Sequence, residues 1–210
     1  MMQDVMDRGI ARADLCRFLA ACYYQPGSEF AEEHLFASML AAASRVEPDF
    51  AHRARRLGEA FAAEDPETLL VDYTRLFLGP VAPLAKPYGS VWQDGQQALL
   101  RESTMAVQDL YEEGGFEIDE DFRELPDHVA AELEFLYLLI FRETQARSGG
   151  DADAVATTTA LRKRFLTEHL GNWIGPFTKA MGDGAGTAFY RELAELTALF
   201  VETETVGTRA

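Results

Sequence analysis

Glu124-Leu125-Pro126-Asp127-His128 runs directly into the apolar stretch Val129 to Phe141, and the reading of these residues decides the fold. Between Phe135 and Phe141 the segment is apolar almost all round, the mark of a helix buried on most sides. The pattern predicts a helix over about 127–147, broken by Ser148-Gly149-Gly150-Asp151. Pro126 fixes its start and Asp127 is placed to cap it. On such a helix His128, Glu132, Phe135 and Leu139 share a band of about 60°, and Asp127 and Glu134 lie on another face. His128 and Glu132, four apart, are spaced to pair. A proline, an acid and a histidine at a helix start can cap the helix, hold a ligand, or do both.

Outward from this segment the pattern stays helical. Ile10, Leu15, Phe18, Leu19 and Cys22 share overlapping faces over about 8–24, before a break at Gln25-Pro26-Gly27. Ser28 is placed to cap a helix with Phe30, Leu35, Phe36 and Leu40. Asp49 is placed to cap a third, with Phe50, Ala54, Leu57 and Phe61. Asp65-Pro66 opens a fourth, which Gly79-Pro80 closes. Residues 79–95, dense in Pro and Gly, leave no room for a regular element, yet they carry Tyr88 and Trp92. Such aromatics either pin a loop to the core or line a groove for a peptide. Further helices are expected over about 97–113, 152–168, 170–181 and 187–203, with a disordered tail after Glu202. No strand signal exceeds a few residues, so the class is all-α, a single globular bundle of about eight to ten helices. Within one domain over 1–210, the pattern suggests an N-terminal lobe over about 1–115 and a C-terminal lobe over about 125–203, with 115–125 as hinge.

With 35 acids against 19 Lys and Arg, the net charge is −16. That surface repels phosphate backbones, which argues against nucleic-acid binding, and it attracts basic partners. Cys16 and Cys22, six apart, sit about 240° apart on a helix, so neither a disulfide nor a cysteine zinc site is expected. This suits a reducing cytoplasm. Arg17 interrupts the N-terminal apolar stretch, no signal peptide is expected, and no apolar run reaches roughly 18 residues.

Enzyme signatures are sparse. The residues three before the histidines are Ala31, Asp49, Leu125 and Leu166, so the Glu-x-x-His pair of di-metal bundles is missing. There is no His-Glu-x-x-His, no Walker loop and no Gly-x-Ser-x-Gly. Gly182, Gly184 and Gly186 alternate before a helix like a phosphate cradle, but no strand precedes them. A metal at His128 would need a second convergent ligand, and none is visible.

Three segments together resemble a known family. They are Asp72-Tyr73-Thr74-Arg75-Leu76-Phe77-Leu78-Gly79-Pro80, Pro87-Tyr88-Gly89-Ser90-Val91-Trp92, and Leu125-Pro126-Asp127-His128 followed by Glu132-Leu133-Glu134-Phe135-Leu136. In this order and spacing they resemble the TorD/DmsD/NarJ family of cytoplasmic molybdoenzyme-maturation chaperones, and the helical pattern covers nearly the whole chain. The resemblance implies an all-helical fold with no catalytic centre and no tightly bound cofactor. It implies binding of the twin-arginine leader of a molybdoenzyme catalytic subunit, held until its molybdopterin cofactor is inserted. Partners implied beyond the client are molybdenum-cofactor biosynthesis proteins. Weak guanine-nucleotide binding, and dimers that exchange helices about the connector, are implied for some members.

Carried over by motif, the peptide-binding residues are Tyr88, Gly89, Ser90, Trp92, Pro126, Asp127 and His128, with Glu132 on the same helix face as His128. Many members have Glu directly before the proline. Here Leu125 stands there, with Glu124 one residue earlier, which blurs the subfamily. A leader joins a basic segment to an apolar one. An apolar groove suits the second, and acids such as Asp127, Glu124 or Asp94 suit the arginines. His128, with an ordinary pKa of about 6.5, would make binding pH-sensitive. Two other readings stand beside this one: a nucleotide hydrolase using Asp127, His128 and Gly182 to Gly186, and a purely structural assembly adaptor.

Overall fold

In the computed structural model, residues 2–27, 34–79, 82–93, 102–119 and 122–208 are described. The order is α1 (Met2–Ala21), α2 (Leu35–Val46), α3 (Pro48–Ala63), α4 (Pro66–Tyr73), α5 (Gly89–Gln93), α6 (Glu102–Gly114), α7 (Val129–Gly149), α8 (Ala152–Phe165), α9 (Gly171–Gly184) and α10 (Ala188–Gly207). A π-type turn over Thr74–Leu78 extends α4, and a second over Leu166–Leu170 joins α8 to α9. The all-α class is as expected, and among the described residues the one departure from helix and loop is an isolated antiparallel bridge. No described helix is long and apolar enough to cross a membrane.

The stretch that decided the fold lies at its centre. α7 packs lengthwise on α1 and also against α8, which is why it is apolar on most sides. Val129, Leu133, Phe135, Leu136 and Leu139 are fully or almost fully buried. The α1–α7 approach is close enough to require glycine at position 9, where an added Cβ would sit 2.5 Å from Thr144 Oγ1. Cys16, also on this face, donates its thiol to the Leu133 carbonyl at 3.2 Å, and both cysteines are free and buried. On the other side α10 packs against α3 and α9. Arg56 of α3 meets Glu192 of α10 there.

Several boundaries differ from those expected, each for a local reason. Glu47, not Asp49, is the N-cap of α3, because Pro48 takes the first helical position and Asp49 then falls inside the first turn. Ser28, Phe30, Asp94 and residues 97–101 lie outside the described residues. The loop 79–95 contains the short helix α5, which the Pro and Gly density hid. The segment after Glu202, expected to be a disordered tail, is helical to Gly207. α10 continues to Gly207 because Glu204 is buried and ion-paired with Arg12 and Arg162.

Asp72 ties α4 to the loop before α10. Its buried carboxylate accepts from the N–H groups of Gly186 and Thr187 at 2.9 and 2.8 Å, from the Thr187 hydroxyl at 2.8 Å and from Arg75 at 2.8 Å. Burial opposes the charge, but these donors hold its pKa below the usual carboxylate value. The alternating glycines therefore do not form an open phosphate cradle, since the N–H groups of Gly186 and Thr187 already face an internal anion. Asp72→Ala leaves those buried donors unpaired and should lower stability by about 3 kcal/mol in urea unfolding.

Candidate functional site

Two of the three motifs meet as a buried joint at the start of α7. Pro87 accepts the Val129 N–H at 2.8 Å and Gly89 donates its N–H to the Asp127 carbonyl at 2.9 Å, so Tyr88 and His128 oppose each other as an antiparallel bridge. The Asp127 carboxylate accepts the Ser90 N–H at 2.8 Å. It thereby serves the first turn of α5 instead of capping its own helix. The cap of α7 is His128, whose Nδ1 accepts the Ala130 N–H at 3.2 Å. Tyr111 donates to the Pro126 carbonyl at 2.9 Å and holds the approach to the joint.

Beneath the joint lies a second polar group. Glu132 is fully buried, and it does not pair with His128. The cap conformation of His128, φ −70° and ψ 138°, removes it from the helical spacing that would face it toward Glu132. Glu132 bonds His169 Nε2 at 2.9 Å and accepts from Trp173 Nε1 at 3.1 Å. Burial raises its pKa, against the pull of both partners. Gly89 is the floor of this contact, since a Cβ there would lie 2.9 Å from Trp173 Nε1 and 3.0 Å from Glu132 Oε1. Trp92 donates to the Lys86 carbonyl at 2.8 Å and sets its ring edge against Phe177.

The burial of the expected site residues divides them. Gly89, Ser90, Asp127, His128 and Glu132 are buried, whereas Tyr88, Trp92 and Pro126 are half-buried. Ser90 Oγ and Asp127 Oδ1 find no hydrogen-bond partner among the described residues. Among those residues no three His, Cys, Asp or Glu side chains converge as a metal set.

Above the joint runs a row of rings, each edge-on to the next: Tyr24 to Phe122 at 6.3 Å, Phe122 to His128 at 5.9 Å, and His128 to Tyr88 at 5.4 Å. A carboxylate stands at each end. Tyr88 donates its hydroxyl to Glu124, and Tyr24 donates to Glu134 at 2.7 Å. Burial and then the adjoining carboxylate push both tyrosine pKa values up, so both hydroxyls remain donors. Burial also raises Glu134. Tyr24 and Phe122 were not singled out by sequence, and Glu134 was placed on a helix face and in the third motif without a binding role. Their association spans 110 positions between Tyr24 and Glu134, and the one local signal is the aromatic pair Tyr23-Tyr24 just before the Gln25-Pro26-Gly27 break.

The family described as nitrate reductase delta subunit matches residues 44–179, a span that includes all three motifs. The chain belongs to that family. It is the TorD/DmsD/NarJ group that the motifs resemble. A Tat proofreading chaperone DmsD of Salmonella typhi is 30% identical over 139 residues, which is 66% of this chain and 61% of the relative, less than two thirds of its length. A chaperone protein TorD of Vibrio cholerae is 24% identical over 210 residues, covering 96% of this chain and 94% of the relative. A solved Archaeoglobus fulgidus structure, assigned as a redox enzyme maturation protein, superposes with a TM-score of 0.51 at 19% identity, over 95% of this chain and 94% of that one. At that identity the likeness shows the all-helical fold.

Burial alone lowers the pKa of His128 from 6.5 to about 4. The pH sensitivity expected of it near neutrality therefore has no basis, because the ring stays neutral there. Between pH 6.5 and about 4 the unfolded chain binds a proton that the folded chain does not, so stability falls as pH falls through that window. The His128 contribution across it is about 3 kcal/mol. Asn caps helices without titrating. His128→Asn should therefore lose this part of the pH dependence, measured as the difference from the parent in urea midpoints at pH 7 and pH 4.5.

Proposed function

We propose that this chain is a cytoplasmic maturation chaperone for a molybdenum-cofactor oxidoreductase subunit. It holds the twin-arginine leader while the client acquires its molybdopterin cofactor. The observation that carries the reading is the aromatic row closed at both ends by tyrosine-bonded carboxylates. Successive side chains of an extended peptide project to opposite sides. A leader lying across the row therefore presents one guanidinium toward Glu124 and the other toward Glu134, where each can make charge-assisted bonds. The apolar part of the leader lies on the rings, whose rigid faces give contact area at low entropic loss. The net charge of −16 assists encounter with a basic segment.

In this reading the motif residues divide their work. Tyr88 and Trp92 are half-buried and offer surface, while Gly89, Ser90, Pro126, Asp127, His128 and Glu132 hold that surface in place. Family membership and relatives named as chaperones support the reading. The chain itself performs no catalysis and needs no tightly bound cofactor. Molybdenum-cofactor biosynthesis proteins, weak guanine-nucleotide binding and helix-exchanged dimers about the connector 115–125 belong to the same proposal.

Calorimetric titration with leader peptides from molybdoenzymes of the source genome tests it. One leader should bind, and its twin-lysine version should bind about tenfold more weakly, because lysine lacks the planar fork. Glu124→Gln and Glu134→Gln should each weaken binding about tenfold, and added salt should weaken the parent further. Equal binding of the arginine and lysine peptides would contradict this assignment.

A further inference from the structure

At the far end of α7, roughly 30 Å from the joint by helix rise, five charged residues form an alternating chain. Arg147 donates to Glu143 through Nε and Nη2 at 3.1 and 2.7 Å. Glu143 accepts from Arg162 Nε at 2.9 Å, and Arg162 Nη1 reaches Glu204 at 3.0 Å. Glu204 accepts from Arg12 through Nε and Nη2. The order is Arg147, Glu143, Arg162, Glu204, Arg12: three cations and two anions, with a cation at each end.

The interior members are closed off. Side-chain exposure is 7% for Arg162, 8% for Glu143 and 4% for Glu204, against 52% for Arg147 and 29% for Arg12. Both terminal arginines line one cavity of about 170 Å³ between α1 and α7. A guanidinium carries five N–H donors. The Nη1 groups of Arg12 and Arg147 have no partner among the described residues. Neighbouring acids are already engaged, since Glu47 pairs with Arg8 and Asp151 caps α8 through the Ala154 N–H. The rest of the wall sets the apolar side chains of Val5, Met6 and Ile140 beside Gly9 and the hydroxyl residues Thr144 and Ser148.

We infer that this cavity is a carboxylate site: one carboxylate between Arg12 and Arg147 closes the alternating chain into a ring, with a short alkyl tail on Val5, Met6 and Ile140. The single surplus positive charge selects a monoanion. A phosphate dianion would overshoot it. The planar two-oxygen acceptor also matches the guanidinium fork. At about 30 Å³ per water, the volume corresponds to five or six waters, room for a short aliphatic acid or for the last residue of a peptide with a free C-terminus.

The test is an amide NMR titration of the full chain with sodium butyrate, butyramide and inorganic phosphate. Butyrate should shift the Gly9, Thr144 and Ser148 amides saturably, and butyramide should not. Arg147→Gln, at an exposed side chain, should weaken butyrate about tenfold, while the remote Arg17→Gln should leave it unchanged. A parallel titration with Ala-Ala-Val as free acid and as amide identifies the source. Tighter binding of the peptide acid than of butyrate assigns a protein C-terminus, and equal or weaker binding assigns a free acid. The site is refuted by the absence of saturable shifts with butyrate, by equal binding of butyramide, or by phosphate binding more tightly than butyrate.

Discussion

The contact between the Asp127 carboxylate and the Ser90 N–H is the constraint on which the site depends. A charge-assisted bond of this kind contributes about 2 kcal/mol, and each flanking backbone bond about 1 kcal/mol. Together they fix a loop rich in proline and glycine against the start of the most buried helix. Three consequences follow. Tyr88 is held opposite His128 and completes the aromatic row. Gly89 is brought onto the Trp173 indole and Glu132, where no larger residue fits. Trp92 is carried over Phe177, which ties α5 to α9.

This arrangement explains why motifs that mark a chaperone family can be mostly buried. Side chains that contact a partner tolerate exchange so long as their chemistry is kept. A joint that needs a carboxylate, a missing Cβ and an imidazole cap at consecutive or facing positions tolerates little. Asp72 illustrates the same logic outside the site. It sits in the first motif, and what it binds is the loop before α10.

Features written locally were legible in the sequence. The all-round apolarity of 135–141 signals a central helix, and Asp65-Pro66 gives a true cap whose carboxylate accepts from Glu67 and Thr68. The motif pair Pro87 to Trp92 and Leu125 to His128, read as one region from sequence, is brought together in space at the start of α7. Features that depend on long-range partners were not legible. Asp127 follows proline at a helix start, the usual position for a cap, yet its carboxylate crosses to Ser90 and leaves capping to His128. Glu132 is spaced for His128 but bonds His169 and Trp173, which lie 37 and 41 positions away. The tail after Glu202 looks polar and unanchored until Glu204 is seen beside Arg12, 192 positions earlier.

The two ends of α7 are thus built differently, with aromatics and outlying carboxylates at the start and alternating ion pairs at the finish. The central claim is that Asp127 acts by holding the loop and not by meeting an arginine. Leader binding by the Asp127→Asn variant tests it most directly, because asparagine keeps an acceptor for the Ser90 N–H and removes the charge. The account predicts affinity within about twofold of the parent. A loss of tenfold or more in a variant with parental stability would contradict it and would place Asp127 against the arginines of the leader.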